Sequence, residues 1–324
     1  MLARTLRTLP LLVLVAATGA WAQQFPTKPV TMIVPFAAGG PTDTVARSLA
    51  QGMQATLKQT VLVENVGGAG GTIGVSRVAR ANPDGYTILI YHIGMSTVPA
   101  LYRKLTFDPL KDFAYIGLVN EVPMTLVARG NFPANNFKEF LAYIKANKAK
   151  VTYANAGLGA ASHLCGLLFM SAIETDFTTV PYKGTAPAMN DLLGGQVDFM
   201  CDQTTNTMSQ IKSGKVKAYA VTSAKRVPTL ANVPTLQEEG LKGFEVSIWH
   251  ALYAPKNTPQ PVIDTLVKAN QAAIQDEGVK KRFADLGAES VTPDRATPAY
   301  LQKFLAAEIA KWGPIIQKAG QYAD

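Results

Sequence analysis

The chain has 324 residues, 31 Lys and Arg against 23 Asp and Glu, a formal charge of +8 and two cysteines. That length supports two domains of ordinary size. No Lys/Arg cluster interleaved with aromatics accompanies the basic excess, which argues against a nucleic-acid partner and leaves a mild bias toward anionic ligands.

Arg4 and Arg7, the apolar stretch Leu9–Ala17 and the A-x-A sequence Ala20-Trp21-Ala22 read as a secretory signal over residues 1–22, cleaved after Ala22. The apolar stretch is far short of the ~20 residues a spanning helix needs. No cysteine near the cleavage point offers a site for lipid. Cleavage leaves 302 residues and, with Arg4 and Arg7 gone, a charge of +6.

Val30–Pro35 is a β-branched run that predicts a buried strand. Phe36–Gly40 follows as a small-residue turn, and Pro41-Thr42-Asp43 opens a helix, with Pro41 at a position where its missing N–H costs nothing. Thr60–Val63 predicts the next strand, followed by the glycine-rich Gly67–Gly74, a helix through Ser76–Arg80, the turn Asn82–Gly85 and a strand at Tyr86–Tyr91. The βαβ alternation implies a mostly parallel sheet covered on both faces. Tyr115–Arg129 is long, apolar and strand-like. Pro123 in its middle argues against one continuous strand and marks the chain crossing into a second domain.

That domain repeats the opening device. Val151–Asn155 predicts a strand, Ala156–Gly159 a turn and Ala160–Ala172 a helix; strands at Thr178–Tyr182, Val197–Cys201 and Val216–Val221 then alternate with helices at Pro187–Leu193 and Met208–Ser213. Phe244–Ala254 is a second extended crossing, after which Pro259–Ile274, Gly278–Leu286 and Pro298–Ala319 show helical periodicity to the end of the chain. Two crossings make the first domain discontinuous, residues 23–122 and 249–324, with 123–248 as the second. Two connections form a natural hinge.

A helix start exposes backbone N–H groups and carries partial positive charge, so each glycine turn is a candidate anion site, and two of them suggest two domains facing one anionic ligand. Strand–Gly–helix turns also occur in any parallel α/β domain simply to make a short crossover. Asp43 suits the first turn of a helix as a cap and also stands where it can reach a ligand. Asp202 follows a strand whose end should face the cleft. Phe36, Tyr91, His92 and Trp249 can wall a pocket or fill the core, and Lys183 can supply a cation or lie solvated. Cys165 and Cys201 fit one disulfide in an exported protein, or two small buried hydrophobes. The sequence lacks a G-x-S-x-G elbow, a P-loop, zinc-ligand spacing and a complete dinucleotide fingerprint. No cofactor or metal is expected. An exported hydrolase using Ser162, His163 and Asp202 is the rival from another class.

Val34-Pro35-Phe36 with Gly39–Asp43 and Ala46-Arg47, Glu64-Asn65 with Gly67–Gly74, and Pro83–Thr87 resemble the substrate-binding proteins of tripartite tricarboxylate transporters, the Bug or TctC-like family. Further matches are Pro99–Tyr102, Val180–Gly184, Asp191–Asp198, Pro234-Thr235 with Glu239-Gly240, and Lys311-Trp312. The resemblance covers essentially the whole mature chain. It implies a periplasmic monomer of the type II periplasmic-binding-protein fold, two α/β domains joined by two crossing strands around a ligand cleft. Such a protein captures a small organic anion, a di- or tricarboxylate or an aromatic carboxylate, and presents it to an integral-membrane transporter or a sensor receptor. An amino acid or a neutral solute is the alternative ligand. One ligand carboxylate is expected at the two turns, and the expected lining set is Phe36, Ala38, Gly39, Gly40, Thr42, Asp43, His92, Ser96, Asn155, Gly157, Gly159, Ala160, Ser162, His163 and Asp202. Where the family has Gly-Leu-Phe-Ala-Pro this chain reads Ala251–Pro255, and Ala251 is expected to narrow that side of the cleft.

Overall fold

The computed structural model describes residues 25–320 and residue 322. The signal peptide expected over residues 1–22 therefore lies outside the described residues. In chain order the first elements are β1 (Val30–Val34), α1 (Pro41–Leu57), β2 (Val61–Asn65), α2 (Thr72–Ala79), β3 (Thr87–His92) and α3 (Gly94–Leu101). β1 runs parallel to both β2 and β3, with Val30 opposite Val61 and Thr31 opposite Thr87.

The chain then enters β4 (Phe113–Arg129), a single strand of 17 residues with Pro123 inside it. This corrects the expectation that the proline interrupts the strand. From Phe113 to Pro123, β4 pairs antiparallel with β9, and from Met124 onward it pairs with β7 and β8. Pro123 therefore falls where one ladder ends and the next begins, and this is a position where a missing N–H is tolerated.

Beyond β4 come α4 (Phe137–Ala146), β5 (Thr152–Asn155), α5 (Ala161–Ile173), β6 (Thr178–Pro181), α6 (Thr185–Leu193), β7 (Phe199–Gln203), α7 (Thr204–Lys212) and β8 (Val216–Val221). β5 is parallel to β6 and β7. The chain returns through β9 (Ser247–Pro255) and finishes with α8 (Gln260–Gln275), α9 (Glu277–Asp285), β10 (Glu289–Ser290) and α10 (Pro298–Ala319). The sheet path is β2-β1-β3-β9-β4-β7-β5-β6. It is parallel toward its two ends and antiparallel along the crossing strands, where a mostly parallel sheet was expected.

The end of the chain is helical as expected, except for the two-residue β10, which pairs with β4 through Glu289 and Ser290. Neither α3 nor α4 was anticipated. α4 carries an N-terminal signature nonetheless: the Asn136 side chain accepts the Glu139 N–H at 2.9 Å while the Glu139 carboxylate accepts the Asn135 N–H at 2.8 Å. Phe137, Phe140 and Ile144 line its buried face.

Cys165 of α5 is disulfide-bonded to Cys201 of β7, and both are fully buried. The bridge ties α5 to the strand β7. Trp249 is also buried, donating Nε1–H to Glu308 of α10 at 3.0 Å and packing edge-on against Phe304. It pins a crossing strand to the last helix and does not wall a pocket.

Candidate functional site

Where the two halves of the sheet face each other they bound a small cavity of about 10 Å³, room for about one water. Phe36, Pro41, Thr42 and His92 line it from the first half, and Ala156, Ala161, Ser162, Thr185, Asp202 and Gln203 from the second. α1 starts at Pro41 behind Gly40, and α5 starts at Ala161 behind Ala160. Both helices thus present their first turns, whose N–H groups have no intrahelical acceptor, to the same space. α7 adds a third N-terminus directly behind Asp202 and Gln203.

The first turn is braced by Asp43. Its Oδ2 accepts the Gly39 N–H and the Arg47 Nε–H, both at 2.9 Å, and its Oδ1 accepts Asn65 Nδ2–H at 3.0 Å. Asn65 also donates to the Phe36 carbonyl at 3.1 Å. Burial pushes the Asp43 carboxyl upward, but the bonds from Arg47, Gly39 and Asn65 outweigh it and hold the group below its ordinary value. Asp43 is therefore an ionised internal cap whose two oxygens are engaged by the turn, and it is not among the residues that line the cavity.

The second turn is braced by neutral groups. Asn155 Oδ1 accepts the Gly157 N–H at 2.9 Å, and Ser162 Oγ accepts the Ala156 N–H at 2.8 Å. Ser162 Oγ already accepts one bond, so its own hydrogen is available to the cavity it lines.

His92 Nδ1 accepts the Gly94 N–H at 2.9 Å, which leaves the ring proton on Nε2. Burial pulls the ring down to about 3, so it stays neutral. His250, opposite His92 in the β3–β9 register, reaches Thr42 Oγ1 at 3.3 Å through Nε2 and Asn120 Oδ1 at 2.9 Å through Nδ1. A buried polar row therefore runs from β4 through β9 to the first turn of α1.

Outside the cavity the halves meet along a seam. Ala37 N–H donates to the Lys183 carbonyl at 3.2 Å, the Thr97 hydroxyl to the Gly159 carbonyl at 2.8 Å and the Tyr102 hydroxyl to the Leu158 carbonyl at 2.9 Å. Gly70 has φ +61°, and a Cβ there would collide with the Leu158 carbonyl oxygen. Only glycine permits so close an approach.

Residues 45–321 match the family model described as the tripartite tricarboxylate transporter family receptor. The chain belongs to that family. The periplasmic binding protein BugD is 58% identical, with a TM-score of 0.91 over 93% of this chain and 100% of its own. MatC of Rhodopseudomonas palustris with bound malate is 41% identical, with a TM-score of 0.87 over 90% and 100%. Rpa4515 of R. palustris with adipate is 32% identical, with a TM-score of 0.87 over 91% and 98%. The fold is that of the periplasmic binding proteins, and the chain is a solute-binding receptor by family.

Of the residues expected to line this receptor's cleft, Phe36, Thr42, His92, Ser162 and Asp202 border the cavity. The others serve the turns or lie beside them. Ala38 and Gly39 are exposed, with Gly39 facing Ala186 across the seam, and Gly40 and Ala160 are the N-caps of α1 and α5. Ser96 Oγ donates to the Ile93 carbonyl at the start of α3. Asn155 and Gly157 hold the second turn, while Gly159 accepts from Thr97 through its carbonyl and donates its N–H to His163 Nδ1 at 3.4 Å. Tyr91 is spent on the Gly70 carbonyl at 2.7 Å, Lys183 contributes its backbone to the seam, and Ala251 is buried in β9 away from the lining. Sequence reading missed Thr185, Gln203 and His250. No local signal marks His250, because only strand pairing sets it beside His92.

Ser162 and Asp202 make bonds unlike those of a hydrolytic relay. Ser162 Oγ accepts a backbone N–H, and Asp202 accepts from Asn206 Nδ2–H at 2.6 Å and from the Gln203 N–H. Among the described residues no group of three or more His, Cys, Asp and Glu side chains is placed to hold a metal, and no helix is long and apolar enough to cross a membrane.

Proposed function

We propose that this protein is a periplasmic receptor, cleaved after Ala22, that closes two domains on a short aliphatic dicarboxylate or tricarboxylate and delivers it to integral-membrane transporter subunits. The single observation behind this reading is the convergence of the α1 and α5 N-termini on one buried cavity. The domains are residues 23–122 with 249–324, and residues 123–248, and the hinge lies where β4 exchanges β9 for β7 and β8.

The cavity, about 10 Å³ in this arrangement, has room for about one water and must open to admit a ligand, and a short aliphatic acid asks for less opening than an aromatic one. The malate and adipate in the two R. palustris relatives are acids of that kind. Among the described residues no Lys or Arg lines the cavity. Helix-end N–H groups and hydroxyls suffice without one: charge-assisted hydrogen bonds contribute ~1.5–3 kcal/mol each, and micromolar affinity needs about 8 kcal/mol. A zwitterionic amino acid is the second reading, because Asp202 on the cavity wall offers a counter-charge to an ammonium group.

Thermal unfolding of the mature chain against aliphatic and aromatic mono-, di- and tricarboxylates, amino acids and neutral controls tests the proposal. Ligand at about 100 times its Kd adds roughly 2.7 kcal/mol, a melting shift of several degrees. That shift is expected for a short dicarboxylate or tricarboxylate and is absent for its amide or ester. Silence across all the acids, after denaturing and refolding to strip any co-purified ligand, overturns the reading.

A further inference from the structure

Among the described residues Asp202 is the one carboxylate on the cavity wall, 1% exposed at the end of β7. Every partner it has is neutral. Asn206 Nδ2–H donates at 2.6 Å, the Gln203 N–H donates from the backbone, and the Thr185 hydroxyl lies alongside without a well-formed bond. Asp43, buried to the same depth, has the Arg47 guanidinium at 2.9 Å. Beside Asp202, Gln203 Oε1 is buried and unpartnered. A ligand carboxylate entering this space meets an acid with no cation to offset it. Among the described residues the lining offers no Lys or Arg to compensate.

We infer that Asp202 takes part in binding as the neutral acid, donating its own proton to a ligand carboxylate, so that capture of a dicarboxylate takes up one proton from solvent. The balance is simple: the ionised side chain, one proton and the dianionic ligand give a carboxylic acid hydrogen-bonded to a carboxylate. The inference rests on the carboxylate reading of the site. Burial, the largest influence on Asp202, raises its carboxyl to about 7 against the downward pull of Asn206 and Gln203, so the proton is available at near-neutral pH.

The neighbouring groups do not supply an alternative titration in that range. His92 on β3 is held near 3 by burial, and Tyr153 on β5 is pushed far up by burial. Thr125 on β4, Thr185 on α6 and Asn206 on α7 do not ionise. His250 on β9, bonded to Thr42, is held well below its ordinary value by burial, and His163 on α5, whose ring accepts the Gly159 N–H, serves as the control.

The experiment is calorimetric binding of succinate and malate to the mature protein from about pH 6.5 to about pH 9, in two buffers of different ionisation enthalpy. Both probes are fully ionised over most of that range. Kd is expected to weaken roughly tenfold per pH unit above about 7, with close to one proton taken up per ligand. Asp202→Asn keeps a donor and cannot titrate, so it should bind with a flat pH profile, whereas His163→Gln should keep the wild-type slope. Proton uptake by the unmodified protein is read from the two buffers, so the test stands even if a variant folds poorly. A flat wild-type Kd with no proton uptake overturns the inference and leaves the carboxylate reading intact. Binding that strengthens with pH also overturns it, because an ionised Asp202 is then meeting a donor on the ligand. Loss of pH dependence in His163→Gln assigns the proton elsewhere, and failure of both acids to bind at every pH brings down both readings.

Discussion

The two glycine turns are one device built twice, yet they are held in place by different physics. The first is fixed by an ion pair and an amide converging on Asp43, whose partners include the half-exposed Arg47. The second is fixed by Asn155, by Ser162 and by the Cys165–Cys201 bridge, which fastens α5 to β7 without any charge. A turn that must present positive helix ends to an anion can be rigid in either way. The charged brace is expected to weaken as Asp43 is protonated.

The largest effect expected from this contrast is covalent. The bridge closes a loop across a sequence separation of 36, and removing such a crosslink typically costs 2–4 kcal/mol. Cys165→Ala with Cys201→Ala should therefore lower the denaturation midpoint substantially. An unchanged midpoint would mean that packing alone holds the second turn.

Asp43→Asn should cost somewhat less, about 1–3 kcal/mol, since the charge-assisted bonds are weakened while an acceptor for Gly39 remains. The sign with pH follows from the lowered carboxyl. A depressed folded-state pKa contributes stability above the ordinary value of 3.8 and loses it as pH falls through the folded value. Wild-type melting should thus decline more steeply than that of Asp43→Asn on acidification below about pH 4. Parallel melting curves for the two proteins would show that Asp43 is not the acid-sensitive brace.

How much of this was legible in the sequence depends on the range over which each signal acts. The turns were readable because β-branched runs, glycines and Pro41 encode them locally, and the strands and helices that flank the two turns begin within a residue of the expected places. β4 was misjudged because Pro123 is disruptive in a ladder but harmless where two ladders meet, and only the pairing reveals that meeting point. Asp43 and Asp202 looked alike as acids beside helix starts. Their difference lies in Arg47, Asn65 and Asn206, which the fold brings to them. Phe36 and Ser162 were found because they sit in or next to the turns, whereas Thr185, Gln203 and His250 reach the site through tertiary placement.

The smallest expected effect concerns the seam, where the two turns' surroundings touch. Tyr102 is part-buried and donates its hydroxyl to the Leu158 carbonyl, and the Thr97 hydroxyl donates to Gly159 one residue further on. Neither residue lines the cavity, so neither contributes a direct ligand contact. Both bonds join the two halves, so the proposed closure would make and break them, and a neutral hydrogen bond is worth roughly 0.5–1.5 kcal/mol. Tyr102→Phe should accordingly weaken binding of a small dicarboxylate by only a few-fold, mostly through faster release, because closure rather than recognition has been loosened. Stopped-flow rates that place the change in association would contradict that assignment. A Tyr102→Phe protein that bound as tightly as wild type would leave the cavity contacts as the sole source of affinity.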